Sequence, residues 1–160
     1  MGNFTLLHYA CFQGNLVLVR ALLERNFDAN SSADYNETPI YIATTKGYLE
    51  IIDVLIEYGA NVNVFTGDEN DNKCTPLQAA IYYINEFDLF QRIVDKLIIG
   101  GANLQIDKPG PLLILCLQYD KYTFAKYLVS SGANIEQRTI FNQSCFYKGI
   151  FKPHLLFNSS

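Results

Sequence analysis

The chain has 160 residues, which fits one compact domain or one short array of repeats and excludes a large multidomain enzyme. Its composition is 49% hydrophobic, 14% aromatic and 18% charged, which predicts a buried core and excludes a disordered chain. The formal net charge is -4 and no run of Lys or Arg occurs, so binding to the phosphate backbone of nucleic acids is disfavoured.

Targeting signals and the spacing of the cysteines indicate where the protein is located and whether its thiols are reduced. The longest apolar run, 111–117, is far shorter than the roughly 20 residues that cross a bilayer. No basic segment precedes the first apolar residues, so no secretory signal is visible. The four cysteines stand singly and form no Cys-x-x-Cys pair. We therefore expect reduced thiols, no membrane partner, and a place in the cytoplasm or the nucleus.

The chain repeats its own pattern four times. The repeats start near Thr5, Thr38, Thr75 and Pro111, at intervals of 33, 37 and 36 residues. After each start, a large aliphatic residue and a small residue recur three positions apart, as on one face of a helix. The Thr-Pro pairs at 38–39 and 75–76 add a start signal, because Thr can cap backbone N–H groups and Pro fits the first helical position. Each start therefore predicts a helix.

A second apolar-periodic segment follows in each repeat and predicts a second helix. The four segments are 16–23, 49–56, 93–98 and 124–129. Gly14 and Gly47 separate the helices of the first two repeats, whereas Asp120 stands at this place in the fourth. The second helices end in related phrases that begin with glycine in three repeats and with Asn26 in the first; glycine readily takes the left-handed conformation that ends a helix.

The third repeat departs from the others. The turn before it is four residues longer and acidic at its tip, and five extra residues stand between its helices, around 85–89. The unit of about 33 residues, with its Thr-Pro-Leu start, glycine turn, second helix and Gly-Ala-x-x-Asn ending, nevertheless resembles the ankyrin repeat family. The resemblance covers residues 4 to about 137 in four copies.

This resemblance implies an all-α solenoid of stacked helix-turn-helix units joined by β-hairpin-like turns. We expect residues 1–137 to form the ankyrin repeat domain and 138–160 to be a degenerate fifth repeat or a C-terminal cap. The tail is apolar where a terminal repeat is normally polar. It therefore either folds back onto the fourth repeat or joins further repeats of a longer protein.

Most residues with catalytic potential occur at positions that suggest structural roles. His8 stands at the histidine position of the family, where the resemblance implies a hydrogen bond to turn backbone. Cys11 and Cys116 fall at small-residue positions, which predicts buried packing. Cys74 is expected in an exposed turn, as an ordinary surface cysteine or as a reactive thiol. With no nucleophile elbow, zinc helix or phosphate loop, we expect neither an enzyme nor a cofactor or metal.

The resemblance implies that a partner binds on the concave side of the repeats, at the turn tips and at two positions ending each first helix. The helix-end candidates are Phe12, Gln13, Thr45, Lys46, Tyr82, Tyr83, Gln118 and Tyr119, and the turn-tip candidates are Asp34, Tyr35, Glu37, Asp71, Asn72 and Lys108. Stacked repeats would align the aromatic members into a strip suited to binding. The alternative is that a chain so rich in Tyr and Phe exposes some of them by chance.

We therefore predict a non-catalytic protein-interaction module, acting as a scaffold, an adaptor or a masking inhibitor. Its acidic edge suits a peptide or domain that carries Lys or Arg beside apolar anchors, and it disfavours nucleic acid. The alternative function is structural, with apolar terminal faces that mediate self-association or continue into further repeats.

Overall fold

The computed structural model describes residues 4–67, 73–106 and 110–136. These residues form eight α helices and one short 3-10 helix (Asp34–Asn36), which confirms the prediction of an all-α fold. The chain divides into two compact units, residues 1–102 and 103–160. The expected cap, 138–160, lies outside the described residues.

The first unit is built of three helix pairs in two rows. Its helices are α1 (Leu6–Phe12), α2 (Leu16–Leu23), α3 (Pro39–Lys46), α4 (Leu49–Glu57), α5 (Pro76–Tyr83) and α6 (Phe87–Ile99). The first helices α1, α3 and α5 pack side by side, and the second helices α2, α4 and α6 form the other row. In the second unit, α7 (Leu112–Gln118) packs against α8 (Tyr122–Ser130).

Side-chain caps explain where the first helices begin. Thr5, Thr38 and Thr75 are the N-cap residues of α1, α3 and α5. The hydroxyl of Thr75 accepts a hydrogen bond from the backbone N–H of Gln78 (3.3 Å), and the Gln78 side chain accepts one in return from the Thr75 N–H (3.0 Å). This reciprocal pair satisfies two backbone donors that the start of a helix leaves without partners.

Two residues replace glycine at the left-handed helix breaks. Gly14 and Gly47 have φ values of 69° and 75°, and Asp120 takes the same conformation at 55°. Asn26 does so at the end of α2, with a φ of 62°. Asn and Asp tolerate this region better than other residues with a side chain, so the breaks persist where the glycine is missing.

The third repeat differs from its prediction. Helix α6 begins at Phe87, so the expected second helix, 93–98, was too short. The prediction of five extra residues between the helices, around 85–89, is wrong in part, because only residues 84–86 separate α5 from α6. The buried residues Phe90, Ile93 and Val94 share one helical face, which extends the apolar periodicity toward the start of the helix.

Amide side chains join successive repeats. The side chain of Asn30 donates to the carbonyl of Gly59 (2.9 Å) and accepts from the backbone N–H of Asn61 (2.7 Å). Asn63 and, within the second unit, Gln105 likewise donate to the glycine carbonyl of the following repeat, at 2.9 and 3.0 Å. These bonds satisfy the backbone groups at the helix ends and fix the spacing of adjacent repeats.

The expectation of an exposed Cys74 is wrong. Thr66 and Cys74 pair as an antiparallel bridge, with N–H···O distances of 2.9 and 2.8 Å, and this pairing turns the thiol inward. Cys74 is 5% exposed, and burial raises its pKa, which disfavours the reactive thiolate. Cys11 and Cys116 are buried as predicted, and burial raises the pKa of Cys11 to about 12.

Candidate functional site

The first unit contains a groove of about 340 Å³ between its three repeats. Its lining residues are Phe4, Phe12, Glu37, Tyr41, Ile42, Thr45, Lys46 and Tyr83. Five of the residues predicted to bind a partner therefore line one groove: Phe12, Glu37, Thr45, Lys46 and Tyr83. Four of them stand at the ends of α1, α3 and α5, which pack side by side, whereas Glu37 precedes the start of α3.

Exposed aromatic rings form much of the groove wall. Phe4 and Phe12 are each 47% exposed, and Tyr83 is 58% exposed. The ammonium group of Lys46 lies 4.4 Å from the centroid of the Phe12 ring. This distance is within the range in which a cation is attracted to the face of an aromatic ring. The wall thus combines apolar area with a site that accepts positive charge.

Tyr41 lies half-buried beneath these exposed residues. Its hydroxyl lies 3.9 Å from the Cys74 thiol and forms a hydrogen bond with the side chain of Tyr83. Burial, with smaller contributions from Cys74 and Tyr83, raises the pKa of Tyr41, so the phenol stays protonated. The Thr45 hydroxyl donates to the carbonyl of Ile42 at 2.9 Å. The hydroxyls of Tyr41 and Thr45 therefore have partners within the protein.

A buried histidine fixes the acidic edge of the groove. The Nε2 atom of His8 lies 3.0 Å from the carbonyl oxygen of Glu37 and 3.1 Å from that of Ser31, and it donates its proton to them. The Nδ1 atom accepts from the backbone N–H of Thr5 at 3.2 Å. Burial lowers the pKa of His8, which favours this neutral form. The hydrogen bond to turn backbone that the resemblance implied for His8 is therefore present.

The turn beside Glu37 carries an unusual backbone. Tyr35 and Asn36 have φ values of 56° and 58°, and the Glu37 N–H donates to the carbonyl of Asp34 at 3.1 Å. Left-handed φ values at both central residues are typical of a type I′ hairpin turn. Tyr35 is 66% exposed at its tip. The side chain of Asn36 donates to the carbonyl of Phe65 at 2.7 Å and so holds the turn against the next one.

The other predicted residues lie outside the groove lining. Gln13 and Asp34 are exposed, and Tyr82 is half-buried. In the second unit, Gln118 and Tyr119 are exposed at the end of α7. Asp71, Asn72 and Lys108 are outside the described residues. These positions therefore stay predictions.

Three groove residues were not predicted: Phe4, Tyr41 and Ile42. Phe4 precedes the capping Thr5 and packs on the buried histidine, with ring centroids 5.2 Å apart. Tyr41 occupies the repeat position that His8 holds in the first repeat. Replacement of a histidine by a longer phenol was the signal that could have identified Tyr41, whereas Ile42 carries no such signal.

A family model described as ankyrin repeats (3 copies) matches residues 2–66. Residues 2–66 of this chain therefore carry ankyrin repeats. Both the predicted family and the predicted repeat fold are confirmed. Ankyrin repeats generally mediate protein–protein interaction, and the family is typically non-enzymatic.

Several known proteins are similar to this ankyrin repeat chain. A putative ankyrin repeat protein of fowlpox virus is 24% identical over 143 residues, covering 89% of this chain and 20% of that protein. An inactive serine/threonine-protein kinase of Bos taurus is 30% identical over 105 residues, with coverages of 65% and 6%. An ankyrin repeat and KH domain-containing protein of Drosophila melanogaster is 41% identical over 59 residues, with coverages of 37% and 2%. The chain thus spans a fifth or less of the length of these relatives.

Metal-binding clusters and membrane-spanning helices are both absent from the described residues. No group of three His, Cys, Asp or Glu side chains there is placed to hold a metal ion. No helix in the same part of the chain is long and apolar enough to cross a membrane.

Proposed function

We propose that the chain is a non-catalytic interaction module and that a segment of another protein binds in the groove between its first three repeats. The observation that carries this proposal is the group of exposed rings, Phe4, Phe12 and Tyr83, which line one concave site. Binding would remove their apolar surface from water. Large aromatic residues in such sites commonly supply most of the binding free energy.

The rigidity of the groove supports the same proposal. Its walls rise from packed helices, the hydroxyl of Tyr41 is hydrogen-bonded, and His8 holds the backbone of Glu37. The groove residues are therefore already held in place before a partner binds. Because less conformational entropy is lost on binding, more of the contact free energy appears as affinity.

The strained turn tip extends the proposed surface. A left-handed conformation costs a residue with a side chain roughly 1–2 kcal/mol, and such strain often persists at binding sites. Tyr35 has this conformation and is exposed beside the groove-lining Glu37. We propose that Tyr35 and Asp34 contact the partner where it leaves the groove. Their acidic and aromatic character suits a partner with basic and apolar side chains.

The experiment is an affinity capture from source-cell lysate with the full chain as bait. We expect the double variant Phe12→Ala, Tyr83→Ala to lose the partner, because truncation of one such anchor typically costs roughly 2 kcal/mol or more. The matched control is Phe27→Ala, Tyr58→Ala, which removes one Phe and one Tyr of similar exposure, 41% each, outside the groove lining.

Circular dichroism must first show that both double variants are folded. Loss of the same protein from the groove variant alone would support the proposal and would identify the partner. Retention by both variants, or equal loss from both, would contradict binding in the groove. The identity of the partner would then show whether the protein acts as a scaffold, an adaptor or a masking inhibitor. We propose that it acts in the cytoplasm or the nucleus.

A second candidate function is self-association through the first repeat. Leu6 and Tyr9 lie one turn apart on α1 and are half exposed, and Val17 on α2 is 80% exposed. Apolar side chains exposed on one helix pair favour contact with another protein surface, such as a second copy of the chain. Sedimentation velocity over a range of concentrations would reveal it. A concentration-dependent mass that Val17→Lys abolishes would support assembly, and a constant monomer mass would exclude it.

A further inference from the structure

We infer that the groove recognises an arginine side chain of the partner, whose guanidinium group stacks on Phe12 in place of Lys46 and pairs with the carboxylate of Glu37. This inference rests on the proposed function and specifies its chemistry. Two lining residues of one groove carry it: Phe12, whose ring already lies beside a cation, and Glu37, whose carboxylate belongs to neither ion pair of the first unit.

Lys46 shows that the ring of Phe12 accepts a cation. Its ammonium group lies 4.4 Å from the ring centroid, although the side chain is exposed and attached to the neighbouring repeat. An exposed contact of this kind is worth only about 0.5–1 kcal/mol, so an incoming group can displace it. A guanidinium group is planar and less strongly hydrated than an ammonium group, and therefore stacks better on an aromatic face.

Glu37 supplies the complementary negative charge. Its backbone is fixed by hydrogen bonds with His8 and with the N–H of Ala33, at 3.0 and 2.8 Å. Two ion pairs of the first unit are Arg20–Glu57 and Asp53–Lys96. The carboxylate of Glu37 belongs to neither and lines the groove. It can therefore accept the two parallel hydrogen bonds that a guanidinium group donates.

The size and charge of the groove favour arginine over an acidic side chain. A volume of about 340 Å³ suits one or two side chains of an extended segment rather than a whole domain surface. A carboxylate attracted to Lys46 would enter the same groove as Glu37, with Asp34 on the adjoining turn, and would be repelled by both. An arginine flanked by apolar residues satisfies the carboxylate and also covers the rings of Phe4 and Tyr83.

The test uses three peptides and the full isotope-labelled chain. The probe is acetyl-Leu-Arg-Leu amide, and its matched controls carry citrulline, the neutral isostere of arginine, or glutamate at the centre. Backbone NMR titrations report both the affinity and the location of binding. We expect the arginine peptide to shift the signals of Phe12, Glu37 and Lys46 and to bind at least about fivefold more tightly than the citrulline peptide.

Two variants with opposite expected effects sharpen the test. Lys46→Met removes the internal competitor and should strengthen binding of the arginine peptide about threefold, whereas Glu37→Gln should weaken it by at least that factor. The control variants Lys73→Met and Glu24→Gln change exposed residues outside the groove lining and should leave its affinity unchanged.

Three results would overturn the inference. They are equal affinity of the arginine and citrulline peptides, tighter binding of the glutamate peptide, and absence of groove shifts at about 5 mM arginine peptide. The capture experiment separates this failure from failure of the proposed function. If Phe12→Ala, Tyr83→Ala still loses the partner while the arginine peptide fails, the groove binds a partner by other chemistry.

Discussion

The first and second repeats carry different residues at one equivalent position, and the two residues do different work. In the first repeat His8 is fully buried and holds the backbone of the following turn through Glu37. In the second repeat Tyr41 is only half-buried and lines the groove. Its hydroxyl forms hydrogen bonds with side chains, whereas His8 forms them with the backbone of the turn. One repeat position therefore serves stability in one copy and the shape of the surface in the next.

The third repeat carries yet another residue at this position. Gln78 stands at the same position, is fully buried, and caps its own helix by accepting from the Thr75 N–H at 3.0 Å. The fold accepts all three side chains because the repeats have the other stabilising features in common. These features are the capping Thr, the packed helices and the hydrogen bonds from Asn side chains to the next repeat. Differences in function can therefore arise at this position without a change of fold.

The largest expected effect is on stability and contrasts His8→Ala with Tyr41→Phe. The first substitution removes the partner that His8 provides to the Thr5 N–H and to the Ser31 carbonyl, and it opens a cavity, so it should lower the free energy of unfolding by about 2–3 kcal/mol. The second removes one hydroxyl and should cost about 1 kcal/mol or less. Urea denaturation followed by circular dichroism measures both. Equal costs would show that His8 has no special role in holding the turn.

A smaller effect is expected at the glycines that end the first helices of these two repeats. Both have positive φ, so alanine is strained at either position. A Cβ at Gly14 would come within 2.8 Å of the rigid ring of Tyr48, whereas at Gly47 it would meet the flexible end of Leu89 at 2.9 Å. We expect Gly14→Ala to cost about 2 kcal/mol and Gly47→Ala about 1 kcal/mol. Thermal denaturation would contradict this reasoning if the order were reversed.

The smallest effect is a pH dependence that only the first repeat should show. Because burial lowers the pKa of His8, the unfolded chain binds a proton at higher pH than the folded chain does. The free energy of unfolding should therefore be fully retained above the ordinary histidine value of 6.5 and fall as the pH decreases below it. His8→Gln, which imitates Gln78, should remove this part of the slope. Denaturation midpoints between about pH 7.5 and 5.5 measure it, and identical slopes would exclude His8 as its source.

Local signals explain which parts of the fold could be predicted. Thr38, Thr75 and the prolines after them define helix starts through bonds within one turn of chain, and the structure begins α3 and α5 there. The start of α6 at Phe87 was missed because the third repeat lacks a glycine break between its helices. The burial of Cys74 was missed because it depends on pairing with Thr66 across a turn.

The groove was harder to predict than the repeats, for a physical reason. Phe12, Lys46 and Tyr83 could be named because the resemblance identifies the ends of the first helices as a binding surface. Phe4 and Tyr41 could not, since their place in the lining depends on how three repeats pack against one another. A repeat pattern describes each unit and its neighbours, whereas a binding surface depends on side chains from several units at once.

Site-specific photo-crosslinking to the captured partner would show directly whether the partner binds in the groove. A photoreactive phenylalanine analogue would replace Tyr83 in the groove, Tyr58 and Val17 outside its lining, or Tyr119 in the second unit; all four residues are exposed. Binding in the groove predicts a strong crosslink from position 83 and none from position 58. Crosslinks from position 17 to a second copy of the chain, or from position 119 alone, would contradict the claim that the groove of the first three repeats is the binding site.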